Sequence, residues 1–280
     1  MSPRSRTKYV TATLAAAAAI GLAVAIPASA VQFGEPDNND HPYVANILVY
    51  NASLEWVRYC SGTLISPRVV LTAAHCTTLP GTNLVPGPAS VWFQSDLKPL
   101  MVPGGWPEYG STDSVTGTAF PHPDWPGHQI IPETHDLGII VLDRPVVLAE
   151  YGVLPAAGTL DSLATRRGQQ NVAFDVVGYG FQGLVPVADV EFARFAGTVQ
   201  LINLYNQFTD GYNIQVTNAP GTGGGMCLGD SGSPLLLEDT RTIVAVTSFI
   251  NYNCRGFGVS YRIDRQPILD WINGYISAYP

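Results

Sequence analysis

Residues 226–234 read Met-Cys-Leu-Gly-Asp-Ser-Gly-Ser-Pro, so that one serine, Ser231, stands between glycines and ahead of a proline. Glycine adopts backbone conformations that other residues avoid. Gly229 and Gly232 therefore allow a sharp turn that presents the serine and aims nearby amides inward. Gly-Asp-Ser-Gly also occurs as an ordinary turn, so the stretch is informative only together with other segments.

Two earlier segments provide that context. Residues 71–76 read LTAAHC and place His75 directly after an apolar strand and beside a cysteine. Residues 135–142 read HDLGIIVL and place Asp136 at the start of another apolar strand. A lone His-Cys pair is usually structural, and an acid before an apolar run is often a charge at a strand edge. All three segments in this order, separated by 61 and 95 residues, would rarely arise by chance.

Together these residue types satisfy the needs of acyl transfer. A serine hydroxyl is a poor nucleophile until a base takes its proton. Histidine is suited to that task near neutral pH because its unperturbed pKa is about 6.5. A buried carboxylate must hold the imidazole in the right tautomer, and two backbone N–H groups must stabilise the oxyanion that develops.

The three segments resemble the motifs of the trypsin/chymotrypsin family of serine proteases, which also occur in the order His, Asp, Ser. Residues 73–76 and 229–234 match the family's histidine and serine motifs closely. Residues 136–140 resemble its aspartate motif, with Gly138 in place of the usual small apolar residue. The resemblance covers nearly all of the chain after residue 30, although residues 80–130 match little.

The resemblance implies an all-β fold of two six-stranded antiparallel β-barrels of the chymotrypsin-like type with a C-terminal helix. We expect the first barrel at about 31–150, the second at about 151–263 and the helix at about 264–278. Such a fold places the active site in the cleft between the barrels.

The resemblance also implies a role for each site residue. Ser231 is expected to be the nucleophile, His75 the general base and then acid, and Asp136 the orienting carboxylate. The N–H groups of Gly229 and Ser231 would form the oxyanion hole. Ser248 matches the family serine that supports the buried aspartate and opens the strand that binds substrate.

The remaining sequence pattern fits an all-β chain. Short runs rich in Val, Ile, Leu and aromatic residues are closed by Gly, Pro and Asn, as short strands require. These runs are residues 43–50, 69–73, 137–142, 172–177 and 243–249. One convincing helix follows Asp264, where residues 268–276 carry apolar side chains at helical spacing.

The first 30 residues resemble an export signal. Arg4, Arg6 and Lys8 precede an apolar run over residues 11–26, and residues 28–30 read Ala-Ser-Ala, which suits a signal peptidase. The alternative is a membrane anchor, but a run of 16 residues is shorter than the roughly 20 needed to cross a bilayer. We therefore expect a secreted protein whose mature chain starts at Val31.

The composition excludes several partners. The formal charge of the whole chain is −8, and loss of the three positive charges of residues 1–30 takes it to −11. This acidity argues against nucleic acid or an anionic membrane as a partner. The family resemblance implies protein or peptide substrates, and we expect a monomer. We expect no cofactor. The sequon at Asn51 is a weak indication of glycosylation.

Four cysteines in an exported chain indicate two disulfides, and their sequence alone leaves three pairings open. The family resemblance implies the pairs Cys60–Cys76 and Cys227–Cys254. No close CxxC or HxxxH spacing predicts a zinc site. The histidines at positions 122, 128 and 135 have no metal-ligand period, so we interpret them as loop histidines and expect no metal.

Specificity is predicted from the residues that align with the family's primary pocket. Gly225, six residues before Ser231, stands where trypsins carry an aspartate, so Arg and Lys should not be preferred before the cut bond. Ser248, Phe249 and Ile250 would form the pocket's strand, with Ile250 where a glycine usually keeps the entrance open. Small or medium apolar residues should then be favoured. In the alternative interpretation, Ile250 packs into the barrel.

The expected mature N-terminus matches the family's apolar start in part. Val31 and Gly34 agree with its first and fourth residues, whereas Gln32 and Phe33 do not. The resemblance implies that the Val31 ammonium inserts beside Asp230 and orders the oxyanion loop. The alternative is that Asp230 pairs with an internal arginine.

Two other function classes fit the sequence less well. An α/β-hydrolase esterase needs Gly-x-Ser-x-Gly, the triad order Ser-Asp-His, and parallel strands alternating with helices, none of which occurs here. A non-enzymatic binding protein on the same fold would usually lack a triad residue or the oxyanion glycine. The sequence therefore predicts a secreted serine endopeptidase.

Overall fold

The computed structural model of the chain describes residues 31–102, 105–111, 113–163, 172–184 and 187–280. The predicted signal, residues 1–30, lies outside the described residues. Among the described residues, no helix is long and apolar enough to cross a membrane.

The first barrel is a closed antiparallel sheet in which the strands follow the order β2-β3-β4-β7-β6-β5. Its strands are β2 (Val44–Tyr50), β3 (Trp56–Ser66), β4 (Val69–Thr72), β5 (Ala89–Trp92), β6 (Val115–Pro121) and β7 (Gly138–Leu142). β2, β4, β5 and β7 are buried at every position, which explains their nearly continuous apolar sequence.

The second barrel closes through β8-β9-β10-β13-β12-β11, because β8 pairs with both β9 and β11. Its strands are β8 (Ala173–Gly178), β9 (Phe195–Asn203), β10 (Asn213–Asn218), β11 (Pro234–Leu237), β12 (Ile243–Ile250) and β13 (Gly256–Arg262). A two-residue strand, β1 (Glu35–Pro36), adds to its β9 edge. The prediction of two six-stranded antiparallel barrels is confirmed.

Two helices accompany the barrels. The short α1 (Ala74–Thr77) follows β4, and α2 (Gln266–Ala278) ends the chain. α2 begins two residues later than predicted, with Pro267 in its first turn, where a missing N–H costs nothing. Asp264 lies outside the helix, buried against the guanidinium of Arg262.

A buried ion pair joins the two barrels. Arg194, just before β9, has a fully buried side chain whose Nε lies 2.7 Å from Asp37 Oδ2. Its Nη1 donates to the carbonyl of Val44 at 2.8 Å and to that of Phe93 at 3.1 Å, both in the first barrel. The same nitrogen donates to Tyr179 Oη at 3.1 Å, on the second barrel. The Arg194 side chain thus bonds to both of the barrels that form the cleft.

Candidate active site

His75 is positioned by three local features. β4 ends at Thr72, and the chain then turns through the extended Ala73 into α1, which carries His75 in its first turn. The Cys60–Cys76 disulfide ties that turn to β3. His75 is consequently held at the end of the first barrel with a half-buried side chain.

Asp136 lies directly beside His75. Its carboxylate is completely buried, and Oδ2 is 2.8 Å from His75 Nδ1. Oδ1 accepts a hydrogen bond of 2.9 Å from the His75 amide. These two contacts hold both the ring and the backbone of the histidine. Gly138 permits this approach, because a Cβ there would lie 2.8 Å from Thr77 and 3.0 Å from the Ala73 carbonyl oxygen. This accounts for the glycine that departs from the family motif.

Two further donors reach Asp136 Oδ2. Ser248 Oγ donates from β12 at 2.5 Å, and Gln129 Nε2 donates from the loop before β7 at 3.2 Å. Burial alone would raise the pKa of Asp136, but the charge and hydrogen bonds of His75 and the hydrogen bond from Ser248 outweigh it and hold the pKa below its usual value. The carboxylate therefore stays ionised and can orient and stabilise an imidazolium.

Ser231 belongs to a loop that packs against the histidine segment. Its carbonyl accepts a hydrogen bond of 2.8 Å from the amide of Ser61. The next residue, Gly232, has a φ of +81°, and a Cβ there would overlap Thr72 Oγ1 and the Ser61 carbonyl oxygen. Only glycine allows this close approach, which brings the serine from the second barrel to the first.

The backbone amides around Ser231 are used unequally. The N–H groups of Asp230, Gly232 and Ser233 donate to carbonyl oxygens at 2.8–3.1 Å. Within the described part of the chain, the N–H groups of Gly229 and Ser231 donate to no protein acceptor. Gly229 has a φ of +96°, and its carbonyl accepts a hydrogen bond of 3.0 Å from Ser61 Oγ. Two unengaged donors one residue apart are the arrangement an oxyanion hole requires.

The residues of the predicted specificity pocket are closely packed. At Gly225 a Cβ would overlap the side-chain oxygen of Asn218, so the Asn218 amide occupies the space that a side chain at position 225 would take. The buried Met226 reaches over Gly258, where a Cβ would lie 2.7 Å from its sulfur and 3.8 Å from Ile250 Cγ2. Ile250 is half-buried and packs against the core of the second barrel. This packing agrees with the alternative interpretation, in which Ile250 packs into the barrel.

Asp230 has no cation beside it among the described residues. Its carboxylate accepts hydrogen bonds of 2.8 Å from the Gly180 amide and 2.9 Å from the Cys227 amide. Burial raises the pKa of Asp230 to about 7, although these two hydrogen bonds act in the opposite direction. None of the described arginines forms an ion pair with it. Val31, also fully buried, follows Ala30 in the full chain, so its nitrogen is an amide.

One cluster of potential metal ligands was missed by the spacing argument. Ligand atoms of His122, Asp124 and His135 lie within 4.8 Å of one another. However, the two imidazole rings stack at 5.5 Å with planes 13° apart, and His122 Nδ1 accepts the Asp124 amide at 3.2 Å. Lone pairs in parallel planes do not converge on one point, so this geometry is that of packed loop histidines.

The cysteines pair as the resemblance implied. Cys60 is bonded to Cys76 and Cys227 to Cys254. The second disulfide joins the loop before Ser231 to the loop after β12, which are the two sides of the predicted substrate pocket.

Comparison with known proteins agrees with this geometry. The family model described as Trypsin matches residues 31–272. The chain belongs to the trypsin family of serine endopeptidases. Among curated relatives of this trypsin-family chain, the CLIP domain-containing serine protease HP8 of Bombyx mori is 28% identical over 84% of this chain and 66% of its own length. The chain thus spans just under two thirds of that relative.

Two mammalian relatives match over most of their length. Chymotrypsin-like elastase family member 1 of Felis catus is 25% identical over 88% of this chain and 89% of its own. The tryptase of Mus musculus is 27% identical over 79% and 80%. Among solved structures, HL collagenase superposes with a TM-score of 0.64 at 18% identity, over 88% of this chain and 99% of that one. That likeness supports the two-barrel fold alone.

Three residues near the site were not found from the sequence. Gln129 donates to Asp136, the Met226 sulfur packs over Gly258, and the ring of Tyr59 packs over Gly229, where a Cβ would lie 2.5 Å from its Cε1. Met226 adjoins Cys227 and could have been counted with Gly225. Gln129 and Tyr59 carry no local signal, because their contacts depend on how loops cross between distant elements.

Proposed function

We propose that the chain is a secreted endopeptidase that hydrolyses peptide bonds with Ser231 as nucleophile, His75 as general base and Asp136 as orienting carboxylate. One observation carries the proposal. The buried Asp136 carboxylate binds His75 Nδ1 at 2.8 Å and Ser248 Oγ at 2.5 Å, so the Nε2 nitrogen is left to accept a proton. A fixed tautomer of this kind is what a serine nucleophile needs.

The geometry supports an acyl-enzyme route. His75 takes the Ser231 hydroxyl proton as the oxygen attacks the peptide carbonyl, and the unengaged N–H groups of Gly229 and Ser231 stabilise the oxyanion. His75 then gives the proton to the leaving amine, which frees the first product and leaves an ester at Ser231. Water, deprotonated by His75, hydrolyses that ester and restores the enzyme.

Labelling with a fluorophosphonate tests the nucleophile and the base. We expect the label on Ser231 of the wild type, and none after Ser231→Ala or His75→Ala. Peptidase activity of Ser231→Ala should fall on the order of 10⁶-fold. The exposed Ser162→Ala and His128→Ala variants are matched controls and should label and cleave like the wild type. A Ser231→Ala enzyme that kept a tenth of the activity would overturn the mechanism.

The substrate class follows from the pocket. Met226 at its base and Ile250 at its wall favour a small or medium apolar residue before the cut bond, and Gly225 offers no carboxylate for Arg or Lys. A peptide library should therefore be cut after Ala, Val or Leu. Ile250→Gly should extend cleavage to larger side chains. Leu228→Ala, which changes an exposed residue, should not. A profile dominated by Arg or Lys would show that the pocket lies elsewhere.

The N-terminus is proposed to activate the enzyme. Val31 has a φ of +53°, a region that β-branched residues rarely adopt, and this torsion no longer exists once the bond to Ala30 is cut. The freed ammonium would supply the cation that the buried Asp230 lacks. Protein from the culture medium should begin at Val31. A protein that keeps a Met before Val31, or one in which the Val31 amine is acetylated, should be folded but inactive. Full activity of either form would exclude insertion of the Val31 ammonium beside Asp230.

The proposed partners are protein or peptide substrates, with no cofactor, and the proposed state is a monomer. The strongly acidic mature chain supports this assignment, because it disfavours binding to nucleic acid and anionic membranes. Sedimentation of the secreted protein measures the oligomeric state directly.

A further inference from the structure

An aromatic groove lies on the first barrel, apart from the residues assigned above. It encloses about 540 Å³ and combines aromatic and aliphatic side chains with two carboxylates; its lining is Tyr50, Leu54, Glu55, Trp56, Trp106, Pro107, Glu108 and Tyr109. No cationic residue is among these lining residues. We call it the aromatic groove.

Packed rings connect the aromatic groove to the oxyanion loop. The Tyr59 ring lies over Gly229, and its hydroxyl donates to the Tyr179 carbonyl. Its other neighbour is Trp106, with ring centroids 4.3 Å apart. Trp106 in turn packs on Trp56 at 5.4 Å. Trp106, which lines the groove, is therefore linked to Gly229 through side chains in direct contact.

The position of the groove fixes which part of a substrate it can reach. Residues before the cut bond are assigned to the β12 side of Ser231, where Ser248 and Ile250 lie. Residues after the bond are assigned to the opposite side, past Tyr59, whose ring covers Gly229. The two ring-to-ring steps beyond Tyr59 together cover at most about 10 Å, which is the length of about three residues of extended chain. A side chain three or four residues after the cut bond would then reach the aromatic groove.

We propose that the aromatic groove binds an arginine side chain of the substrate, three or four residues after the cut bond. This rests on the proposed endopeptidase function. Trp56 is 48% exposed, and a guanidinium stacks on indole faces by cation–π attraction. Glu55 and Glu108, both exposed at the rim, supply the opposite charge. Aromatic faces beside carboxylates suit a planar cation better than an apolar side chain.

Four peptides test the assignment. They share one cleavable sequence and differ only in carrying Arg, Lys, Leu or Glu at the fourth position after the cut bond, and kcat/KM is measured for each. We expect the order Arg, Lys, Leu, Glu, with Arg about tenfold above Leu. The preference should shrink as salt is added, because the rim charges are exposed to solvent.

Variants of the groove separate its role from general damage. Trp56→Ala and Glu108→Gln should each remove most of the Arg-to-Leu difference. The exposed Tyr205→Ala and Glu238→Gln, on the second barrel, are matched controls and should leave the difference unchanged. A short peptide that ends one residue after the cut bond cannot reach the groove. All variants should cleave this peptide with the same kcat/KM as the wild type.

The outcomes distinguish the two proposals. If neither peptide length is cut and no fluorophosphonate label is incorporated, the endopeptidase function fails. If the short peptide is cut but the four long peptides are cut equally, the groove proposal is overturned. A preference for Leu over Arg would also overturn it, because the groove would then be an apolar subsite. A preference for Arg that survives both variants would place the arginine elsewhere.

Discussion

At the scale of single residues, the donors around Asp136 set how it acts on His75. The side chains of His75, Ser248 and Gln129 all contact Oδ2 of Asp136. Gln129 lies at 3.2 Å and comes from the loop before β7. A donor spreads the negative charge of the carboxylate. Removing it should make Asp136 stabilise the His75 imidazolium more strongly, so a higher pH is needed to generate the neutral base.

Gln129→Leu should therefore move the acid limb of the kcat/KM profile to higher pH, because a carboxylate without this donor stabilises the imidazolium more strongly. The measurement is the pH dependence of peptide cleavage. His128→Ala changes an exposed neighbour in the same loop and should leave the profile in place. An acid limb that does not move in Gln129→Leu would mean that this hydrogen bond has no influence on the base.

The conformation of the loop that carries the proposed oxyanion-hole amides depends on Gly229. Gly229 combines a φ of +96° with the Tyr59 ring packed against it, so Ala at this position meets both backbone strain and a clash. Gly229→Ala should reorient the amide and reduce kcat by about 10²-fold or more while the fold persists. Gly221→Ala is the matched control, since a Cβ there meets nothing within 4 Å. Kinetics with circular dichroism on both variants checks this, and a fully active Gly229→Ala enzyme would contradict it.

At the scale of elements, the sequence predicted what local pattern encodes. The apolar runs of residues 43–50 and 243–249 correspond closely to β2 and β12. A strand that is buried on both faces has apolar residues at nearly every position, so its sequence is easily identified. The C-terminal helix was equally clear, since Ile268, Leu269 and Ile272 are its buried face.

Other elements could not be predicted from the local sequence. β1 is two residues long, and its pairing with β9 joins segments 160 residues apart, for example Glu35 with Ala196. The aromatic groove likewise depends on Trp56 and Trp106 meeting across a loop. The triad residues could be found only because three short motifs preserve them, whereas Gln129 reaches Asp136 through loop geometry that no spacing rule predicts.

At the scale of the whole molecule, the cleft exists only while the barrels keep their relative position. Burial would raise the pKa of Asp37, but the hydrogen bond from His41 and the charge of Arg194 hold it below its usual value. Because the pKa of Asp37 is lower in the folded protein, its ionised carboxylate stabilises the fold above the unfolded-state pKa of about 3.9. This stabilisation is lost as the pH falls through the folded-state pKa. The inter-barrel ion pair should therefore weaken only in strong acid.

Arg194→Met should lower the free energy of unfolding by about 3–5 kcal/mol, because it leaves the Asp37 carboxylate buried without its cation. Denaturant unfolding at neutral pH measures the loss, and activity should fall with it as the cleft loosens. Arg241→Met removes an exposed pair with Glu150, 3.6 Å apart, and should change stability by less than about 1 kcal/mol. Equal effects of the two substitutions would show that Arg194 does not join the barrels.

Processing at Val31 should change how the stability of the whole molecule depends on pH. In the uncut chain, burial raises the pKa of Asp230 to about 7 from a usual value of 3.8. Between these values the folded chain holds a proton that the unfolded chain has lost. The free energy of unfolding must then fall as pH rises through this window, by at most about 1.4 kcal/mol per pH unit. An inserted Val31 ammonium would favour the ionised carboxylate and remove this loss.

Two forms of the inactive Ser231→Ala protein, one with Ala30 retained and one beginning at Val31, allow a direct comparison by denaturant unfolding from pH 5 to 7.5. The form with Ala30 should lose stability across this range, and the form that begins at Val31 should not. Adding Asp230→Asn to the first form should abolish the loss, whereas the exposed Asp113→Asn should leave it. The same slope in both forms would show that the new amine does not reach Asp230, since no other change at the cut site alters the charge beside that carboxylate.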